Sequence, residues 1–161
     1  MMHWLTRLFS SPQPVIEAAR PRDARKLSQL HGASFNRGWS ETEFEHLLAE
    51  RNTMTHRLRA GVEIIGFIIS RLAADEAEIL SVAVDSRWRG RGLSRQLLQT
   101  HLGHLAGRGI RTIFLEVEEH NLPAVRLYLR FGFQVVGRRE QYYRDPSGQL
   151  LSALVMQRDL S

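Results

Sequence analysis

Apolar and polar positions follow one another along this chain in segments of two kinds. Segments with short apolar runs or strict alternation predict strands, and segments with apolar residues three or four positions apart predict helices. Strands are expected at 15–19, 54–60, 63–72, 76–84, 112–117, 133–142 and from a turn at 145–148 to 158, and helices at 21–35, 40–50, 91–106 and 122–131. The order βααβββαβαββ predicts an α/β fold, with one mixed (α+β) sheet and helices on both faces.

Several element boundaries carry residues that favour them. Ser40 and Glu43 have the spacing of a capping box at the start of the second helix. Asn121 can cap the fourth helix, and Pro123 fits its first turn. The sequence Asp-Pro-Ser-Gly at 145–148 predicts a tight turn, so the last two strands are expected to form a hairpin.

A turn rich in arginine and glycine lies between a strand and the longest predicted helix. Gly90 and Gly92 allow positive φ angles and a close approach of a ligand to the backbone. Backbone amides in such a turn, together with a helix N-terminus, attract phosphate groups. Positive charge is added by three arginines, Arg87, Arg89 and Arg91. The segment predicts a site for a cofactor diphosphate, and the alternative is a turn whose arginines are only solvated.

Two patterns in this chain resemble signatures of one enzyme family. The spacing Arg-x-x-Gly-x-Gly at 87–92 resembles the acetyl-coenzyme A signature of the GCN5-related N-acetyltransferases, or GNAT enzymes. Further along, the family pattern N-x-x-A-x-x-x-Y-x-x-x-G-F is matched by Asn121, Ala124, Tyr128, Gly132 and Phe133. The resemblance extends over nearly the whole chain and implies the GNAT fold, which has the element order predicted above.

The resemblance also implies acetyl-coenzyme A (acetyl-CoA) as cosubstrate, without a metal. In the family, backbone groups of the strand before the turn bind the pantetheine arm and the acetyl carbonyl, which assigns Val82 and Val84 to cofactor binding. The same resemblance assigns cofactor contacts to the turn residues and to the helix cap, namely Arg87, Arg89, Gly90, Arg91, Gly92 and Asn121.

Acetyl transfer to an amine needs one group that takes a proton from the amine and another that protonates the departing thiolate. The resemblance assigns the first role to Glu116, in the sequence Leu-Glu-Val, and the second to Tyr128. The alternatives are a solvated acidic strand end for Glu116 and a tyrosine that only packs on its helix for Tyr128. Glu118 and His120 are further candidates for the base.

Three aromatic residues are candidates for binding the acceptor. Trp39, before the second helix, and the pair Tyr142 and Tyr143, before the last turn, resemble the branch of the family that acetylates the N-terminal alanine of a ribosomal protein. The resemblance therefore implies a protein N-terminus, such as that of a ribosomal protein, as acceptor. The alternatives are a small-molecule amine, or a non-catalytic protein that senses acetyl-CoA or binds nucleic acid.

Composition and charge bound these possibilities. The chain has 161 residues, 43% of them hydrophobic, which indicates one globular domain at 15–161 after an N-terminal extension at 1–14. The absence of cysteine excludes disulfides and a cysteine nucleophile, and no apolar run has the length of a membrane helix, so we expect a cytoplasmic protein without a membrane partner. The net charge of +5 would also attract nucleic acid, but no nucleic-acid-binding motif accompanies it.

The seven histidines show no spacing typical of a metal site. We expect His101 and His104 to lie on a polar, solvated face of the third helix.

Overall fold

The structure, a computed structural model, describes residues 12–35 and 37–161, and of Tyr142 and Tyr143 it describes the backbone alone. Within these residues a seven-stranded sheet is flanked by four helices. In chain order the elements are β1 (Val15–Ala18), α1 (Ala24–Ser34), α2 (Glu41–Ala49), β2 (Thr53–Ala60), β3 (Glu63–Ala73), β4 (Glu76–Val84), α3 (Leu93–Gly107), β5 (Thr112–Glu118), α4 (Leu122–Arg130), β6 (Gln134–Arg144) and β7 (Leu150–Asp159). This order confirms the prediction from the sequence.

Neighbouring strands follow the order β1-β2-β3-β4-β5-β7-β6. All neighbours run antiparallel except β4 and β5, which are parallel and are connected through α3. The sheet therefore changes its pairing pattern in the middle, at the strand that leads into the glycine-bearing turn.

Apolar side chains cover both faces of the sheet. On one face, Leu97, Leu98 and Leu105 of α3 are fully buried against strand residues such as Ile113, and α4 packs against the same cluster. On the other face, a smaller cluster joins α1 and α2 to the sheet around Phe44, which is fully buried. Each helix thus hides an apolar stripe against the sheet, as its spacing predicts.

The helix boundaries reflect local chemistry. At α2 the capping box forms as predicted, with the Ser40 Oγ accepting from the Glu43 amide and the Glu43 carboxylate accepting from the Ser40 amide. The third helix begins at Leu93 rather than at the predicted Arg91, because Gly92 takes a left-handed conformation with φ of 73°. The first helix is preceded by a 3₁₀ turn at Pro21–Asp23, which the prediction had included in the helix.

The expectation that His101 is solvated is wrong. Its side chain is fully buried between α3 and the sheet, where its Nδ1 lies 2.7 Å from the Nδ1 of His56 and its Nε2 lies 2.7 Å from the Ser70 Oγ. The partners come from β2 and β3, far away in sequence, so the helical pattern alone could not reveal them. His104, one turn further along α3, is exposed as expected.

The predicted extension at 1–14 lies almost entirely outside the described residues. In the part of the chain that is described, no helix is both long enough and apolar enough to cross a membrane. Across the same residues, no three histidine or carboxylate side chains are arranged to hold a metal ion.

Candidate active site

A cleft lies where the two halves of the sheet separate. Strands β4 and β5 pair only from Glu76–Thr112 to Ile79–Leu115. Beyond that point β4 stays paired with β3 as far as Val84, while β5 stays paired with β7 as far as Glu118. The opening between them leads into a space of about 1470 Å³ bordered by α3 and α4.

A bulge in β4 marks the start of this separation. Ile79 lies opposite Ser70, but the next β3 residue, Ile69, lies opposite Ser81, so that Leu80 is an extra residue. An extra residue bends a strand and increases its twist. The bulge therefore provides a physical reason why β4 leaves β5 at this position.

The backbone of β4 presents polar groups to the cleft. The amide of Asp85 donates to the carbonyl of Ile65 on β3, at 2.7 Å. Because amide directions alternate along a strand, the N–H groups of Val82 and Val84 point the opposite way, away from β3 and towards the opening. Both residues line the cleft, as the sequence-based assignment requires.

The turn between β4 and α3 brings some, but not all, of its predicted residues to the cleft. Arg89, Gly90 and Gly92 line it. Both glycines have positive φ, 78° and 73°, and a β-carbon at either position would meet no atom within 4 Å. The turn therefore leaves open space directly over its backbone, next to the first turn of α3.

The two remaining arginines of the turn make other contacts. Arg87 is held by Asp85 and by Glu63, and the Arg87 guanidinium lowers the pKa of Asp85 to about 2. The guanidinium of Arg91 lies 4.6 Å from the ring centroid of Trp88. Neither side chain is among those that line the cleft.

The cleft is strongly basic. Among the described residues that line it there is no carboxylate, while five arginines do so: Arg89, Arg95, Arg126, Arg130 and Arg158. Only the first of them belongs to the turn recognised in the sequence. Arg126 and Arg130 are four residues apart on α4, a spacing that places them on one helix face and could have indicated this second basic wall.

The far wall of the cleft carries the two residues of the second motif. Asn121 caps α4, because its side-chain oxygen accepts from the Ala124 amide at 3.4 Å, and it also lines the cleft. Tyr128 lines the cleft about two helical turns further along α4. Its ring lies edge-on to Phe133, with 5.8 Å between the ring centroids. Burial raises the pKa of Tyr128 to about 12, so its hydroxyl keeps its proton at neutral pH.

Glu116 lies on β5 just past the last pairing with β4. Its neighbours Leu115 and Val117 point into the cluster beneath α3, so the Glu116 side chain points to the opposite face of the sheet. There its Oε1 lies 3.0 Å from the Nε of Arg139 on β6. The carboxylate is thus on the other side of the opening from the arginine-lined cleft.

Two acidic residues after Glu116, Glu118 and Glu119, have partners other than Arg139. Glu118 accepts from the amide of His120, and Glu119 pairs with Arg138, which also contacts Glu140. Glu118 is the last residue of β5, and Glu119 begins the connection from β5 to α4.

Trp39 lies at the start of α2 and is held on three sides. Its amide donates to the Nδ1 of His31 at 3.0 Å, its carbonyl accepts from the Ser28 Oγ at 2.7 Å, and its ring stacks on His31 at 4.3 Å. Burial lowers the pKa of His31 to about 4, so this histidine is a neutral acceptor at pH 7. These contacts hold Trp39 in place on the face of the sheet that α1 and Phe44 cover.

Tyr142 lies within an irregular stretch of β6, and Tyr143 directly follows it. Arg139 lies opposite Ala153 and Tyr143 opposite Leu151, so three residues of β6 face one residue of β7. In the middle of this stretch Gln141 has a φ of 55°, and its amide donates to the Ser152 Oγ at 3.2 Å. Such conformations are costly for non-glycine residues and are concentrated at functional sites.

The site residues that the sequence did not reveal are Arg139 and four arginines of the cleft, Arg95, Arg126, Arg130 and Arg158. The contact between Arg139 and Glu116 spans β7, and no local pattern relates the two positions.

Comparison with known proteins agrees with this geometry. The sequence profile of the acetyltransferase (GNAT) family matches residues 18–133. The chain is 31% identical over 144 residues, 88% of its own length and 97% of the relative's, to a Haemophilus ducreyi protein named ribosomal protein bS18-alanine N-acetyltransferase. It is 34% identical to a Mycobacterium tuberculosis protein named N-alpha-acetyltransferase RimI, over 85% of this chain and 89% of the relative.

A solved structure shows the same fold. The crystal structure of the ribosomal-protein-S18-alanine N-acetyltransferase from Escherichia coli superimposes with a TM-score of 0.87 and 27% identity, covering 92% of this chain and 95% of that one. The split sheet, the glycine-bearing turn before α3 and the basic cleft described above are therefore those of a chain that belongs to the GNAT acetyltransferase family and is an acetyl-CoA-dependent N-acetyltransferase.

Proposed function

We propose that this enzyme acetylates the α-amine of a protein N-terminus, with a ribosomal protein that begins with alanine as its acceptor. The observation that carries the proposal is the match, over nearly their full length, to relatives named for acetylating an alanine of ribosomal protein bS18. Such an acceptor would place the enzyme in the cytoplasm.

The cleft between the halves of the sheet would hold acetyl-CoA. Its five arginines and lack of carboxylates suit a ligand with several phosphates. The open backbone at Gly90 and Gly92 and the first turn of α3 would hold the diphosphate. The outward amides of Val82 and Val84 would bind the pantetheine arm and the acetyl carbonyl, and Asn121 would contact the arm from α4.

The roles of Arg87 and Arg91 differ from that of Arg89 in this scheme. Arg89 reaches the cleft and also donates to the Val84 carbonyl at 3.2 Å, so it would contact the cofactor directly. Arg87, tied to Asp85, would keep the turn in shape, and Arg91 would add positive charge from its place over Trp88.

The acceptor would approach from the opposite face, where Glu116 and Trp39 lie, and Tyr142 and Tyr143 would add to its binding. Glu116, directly or through a water, would take a proton from the α-ammonium. The neutral amine would attack the thioester carbonyl carbon, and the carbon–sulfur bond would break. Tyr128 would give its proton to the departing thiolate and would recover one, through solvent, from the attacking nitrogen, which loses this second proton as it becomes an amide. A phenol whose pKa is raised to about 12 still carries that proton at neutral pH.

An α-amine is a better match than a lysine for a single carboxylate base. Its pKa is about 7.7–8.0 against about 10.4 for lysine, so deprotonating lysine at neutral pH costs about 3.5 kcal/mol more. We therefore expect the enzyme to favour α-amines over lysine side chains.

The test is turnover of acetyl-CoA against a peptide library that varies the first residue, with free small amines as a parallel set. The proposal predicts the highest kcat/KM for peptides that begin with alanine or another small residue. Peptides with the same sequence but a blocked N-terminus should not react. Turnover of small amines alone, with every peptide inert, would contradict it.

A further inference from the structure

The ion pair between Arg139 and Glu116 joins residues that are far apart in the sheet. Arg139 is opposite Ala153 on β7, whereas Glu116 is opposite Val155 on the other edge of the same strand. The Arg139 side chain therefore crosses β7 diagonally to bring its Nε to 3.0 Å from the Glu116 Oε1. It does so on the face of the sheet from which the acceptor would approach.

This contact contributes little to folding. The side chain of Arg139 is 55% exposed, and that of Glu116 is 18% exposed. Ion pairs with so much solvent contact contribute at most about 1 kcal/mol to stability. Loss of this contact should therefore leave the fold intact, which makes its effect on the reaction measurable.

The orientation of Glu116 is where the contact matters. A glutamate side chain at the open edge of a split sheet has several rotamers, and a guanidinium that engages one oxygen selects among them. The contact uses Oε1, so the proton from the acceptor can go to the second oxygen. A misplacement of about 1 Å at a catalytic group can cost about 10²-fold in rate.

We propose that Arg139 is a positioning residue that holds the Glu116 carboxylate in the orientation needed to take the proton from the acceptor amine. The inference rests on the proposed function, in which Glu116 is the base. In this proposal Arg139 acts only through Glu116.

The chain offers a matched control next to Arg139. Arg138 is also on β6 and is also ion-paired, but its partners are Glu119 and Glu140. Arg138→Gln removes the same charge from the same strand without touching Glu116. Arg139→Lys keeps the charge but cannot reproduce the guanidinium contact in full.

The expected result is a loss in kcat on an alanine-starting peptide. Arg139→Gln should lower kcat by about 10-fold to 10²-fold, the range expected for a misplaced catalytic group. The KM for acetyl-CoA should not change, Arg139→Lys should recover part of the loss, and Arg138→Gln should match the wild type. Circular dichroism would verify that each variant is folded.

A double-mutant cycle separates action through Glu116 from direct contact with the acceptor. If Arg139 acts through Glu116, adding Arg139→Gln to Glu116→Gln should cause no further loss, because residues that act as a unit are not additive. Additive losses, a wild-type kcat in Arg139→Gln, or an effect confined to the peptide KM would each overturn the inference. The proposed function has its own test in the same experiment. It fails if the wild type does not acetylate the peptide, or if Glu116→Gln alone keeps full kcat.

Discussion

The buried pair of His56 and His101 predicts a loss of stability in mild acid. Burial lowers the pKa of His56 to about 4 and, together with its neighbour, that of His101 to about 3. The titratable neighbours that lower these pKa values further are themselves histidines, including His104, whose ring centroid is 4.6 Å from that of His56. Both side chains are therefore neutral in the folded protein at pH values where an unfolded chain is already protonated.

Proton linkage gives the direction and the size of this change in the unfolding free energy with pH. Below the unfolded pKa of about 6.5, the unfolded chain binds more protons than the folded one, so stability falls as the pH falls. The loss continues down to the folded pKa, with a slope of about 1.4 kcal/mol per pH unit for each histidine. Between about pH 7.5 and pH 5, each histidine should then remove about 2 kcal/mol, and the pair about 4 kcal/mol.

The range from about pH 7.5 to about pH 5 lies above the pH at which the paired carboxylates are protonated. Arg59 and Arg57 lower the pKa of Glu17 to about 2, so the stability that this ion pair provides is lost only below the usual glutamate pKa. His31, with its pKa lowered to about 4, adds to the same window as the pair. The contribution of the pair is therefore best measured as a difference between variants.

The assay is urea unfolding, followed by tryptophan fluorescence, at several pH values from about 7.5 to about 5, the range in which histidine side chains titrate. His101→Gln keeps an amide near Ser70 and His56 but removes one titrating group. Between about pH 7.5 and about pH 5, the unfolding free energy of this variant should therefore fall by about 2 kcal/mol less than that of the wild type. His46→Gln, at an exposed position of α2, is the control and should keep the wild-type slope. An unfolding free energy that does not change over this range, or an identical slope in His101→Gln, would refute the reasoning.

Three further predictions concern the site. Gly92→Glu should abolish acetyl-CoA binding in calorimetry, because the new side chain fills the open space over the turn. The control, Gly107→Glu at the far end of α3, should bind acetyl-CoA normally. Unchanged affinity in a folded Gly92→Glu variant would contradict the assignment of the turn to cofactor binding. Tyr128→Phe should lower kcat by about 10²–10⁴-fold with little change in the acetyl-CoA KM, and a wild-type rate would remove Tyr128 as the acid. Tyr142→Ala should raise the KM for the peptide more than that for acetyl-CoA, and the reverse order would place Tyr142 outside the acceptor site.

Much of the fold could be predicted because its signals are local. The capping box at Ser40, the Asn-x-Pro start of α4 and the Asp-Pro-Ser-Gly turn each act within a few residues, and all three appear in the structure. Alternation and helical spacing then place the remaining elements to within a few residues. The β4–α3 turn carried its own glycines, so its open backbone was also predictable.

The features that the sequence did not reveal depend on contacts between distant segments. The bulge at Leu80 is defined only by the register of β4 against β3, and the split of the sheet follows from it. His101 shares the buried face of α3 with Leu97 and Leu105, but its polar partners Ser70 and His56 lie on β3 and β2, so the sequence of the helix does not show how its ring is satisfied. Arg139 reaches Glu116 across an intervening strand, a relation that no periodicity along one strand can show.

The most direct test of the account is the site of acetylation on one peptide that carries both a free N-terminal alanine and an internal lysine. After incubation with acetyl-CoA, tandem mass spectrometry locates the label. The account predicts acetyl groups on the alanine α-amine, with little on the lysine, and loss of this labelling in Glu116→Gln. Label mainly on the lysine, or full labelling of the α-amine by Glu116→Gln, would contradict it.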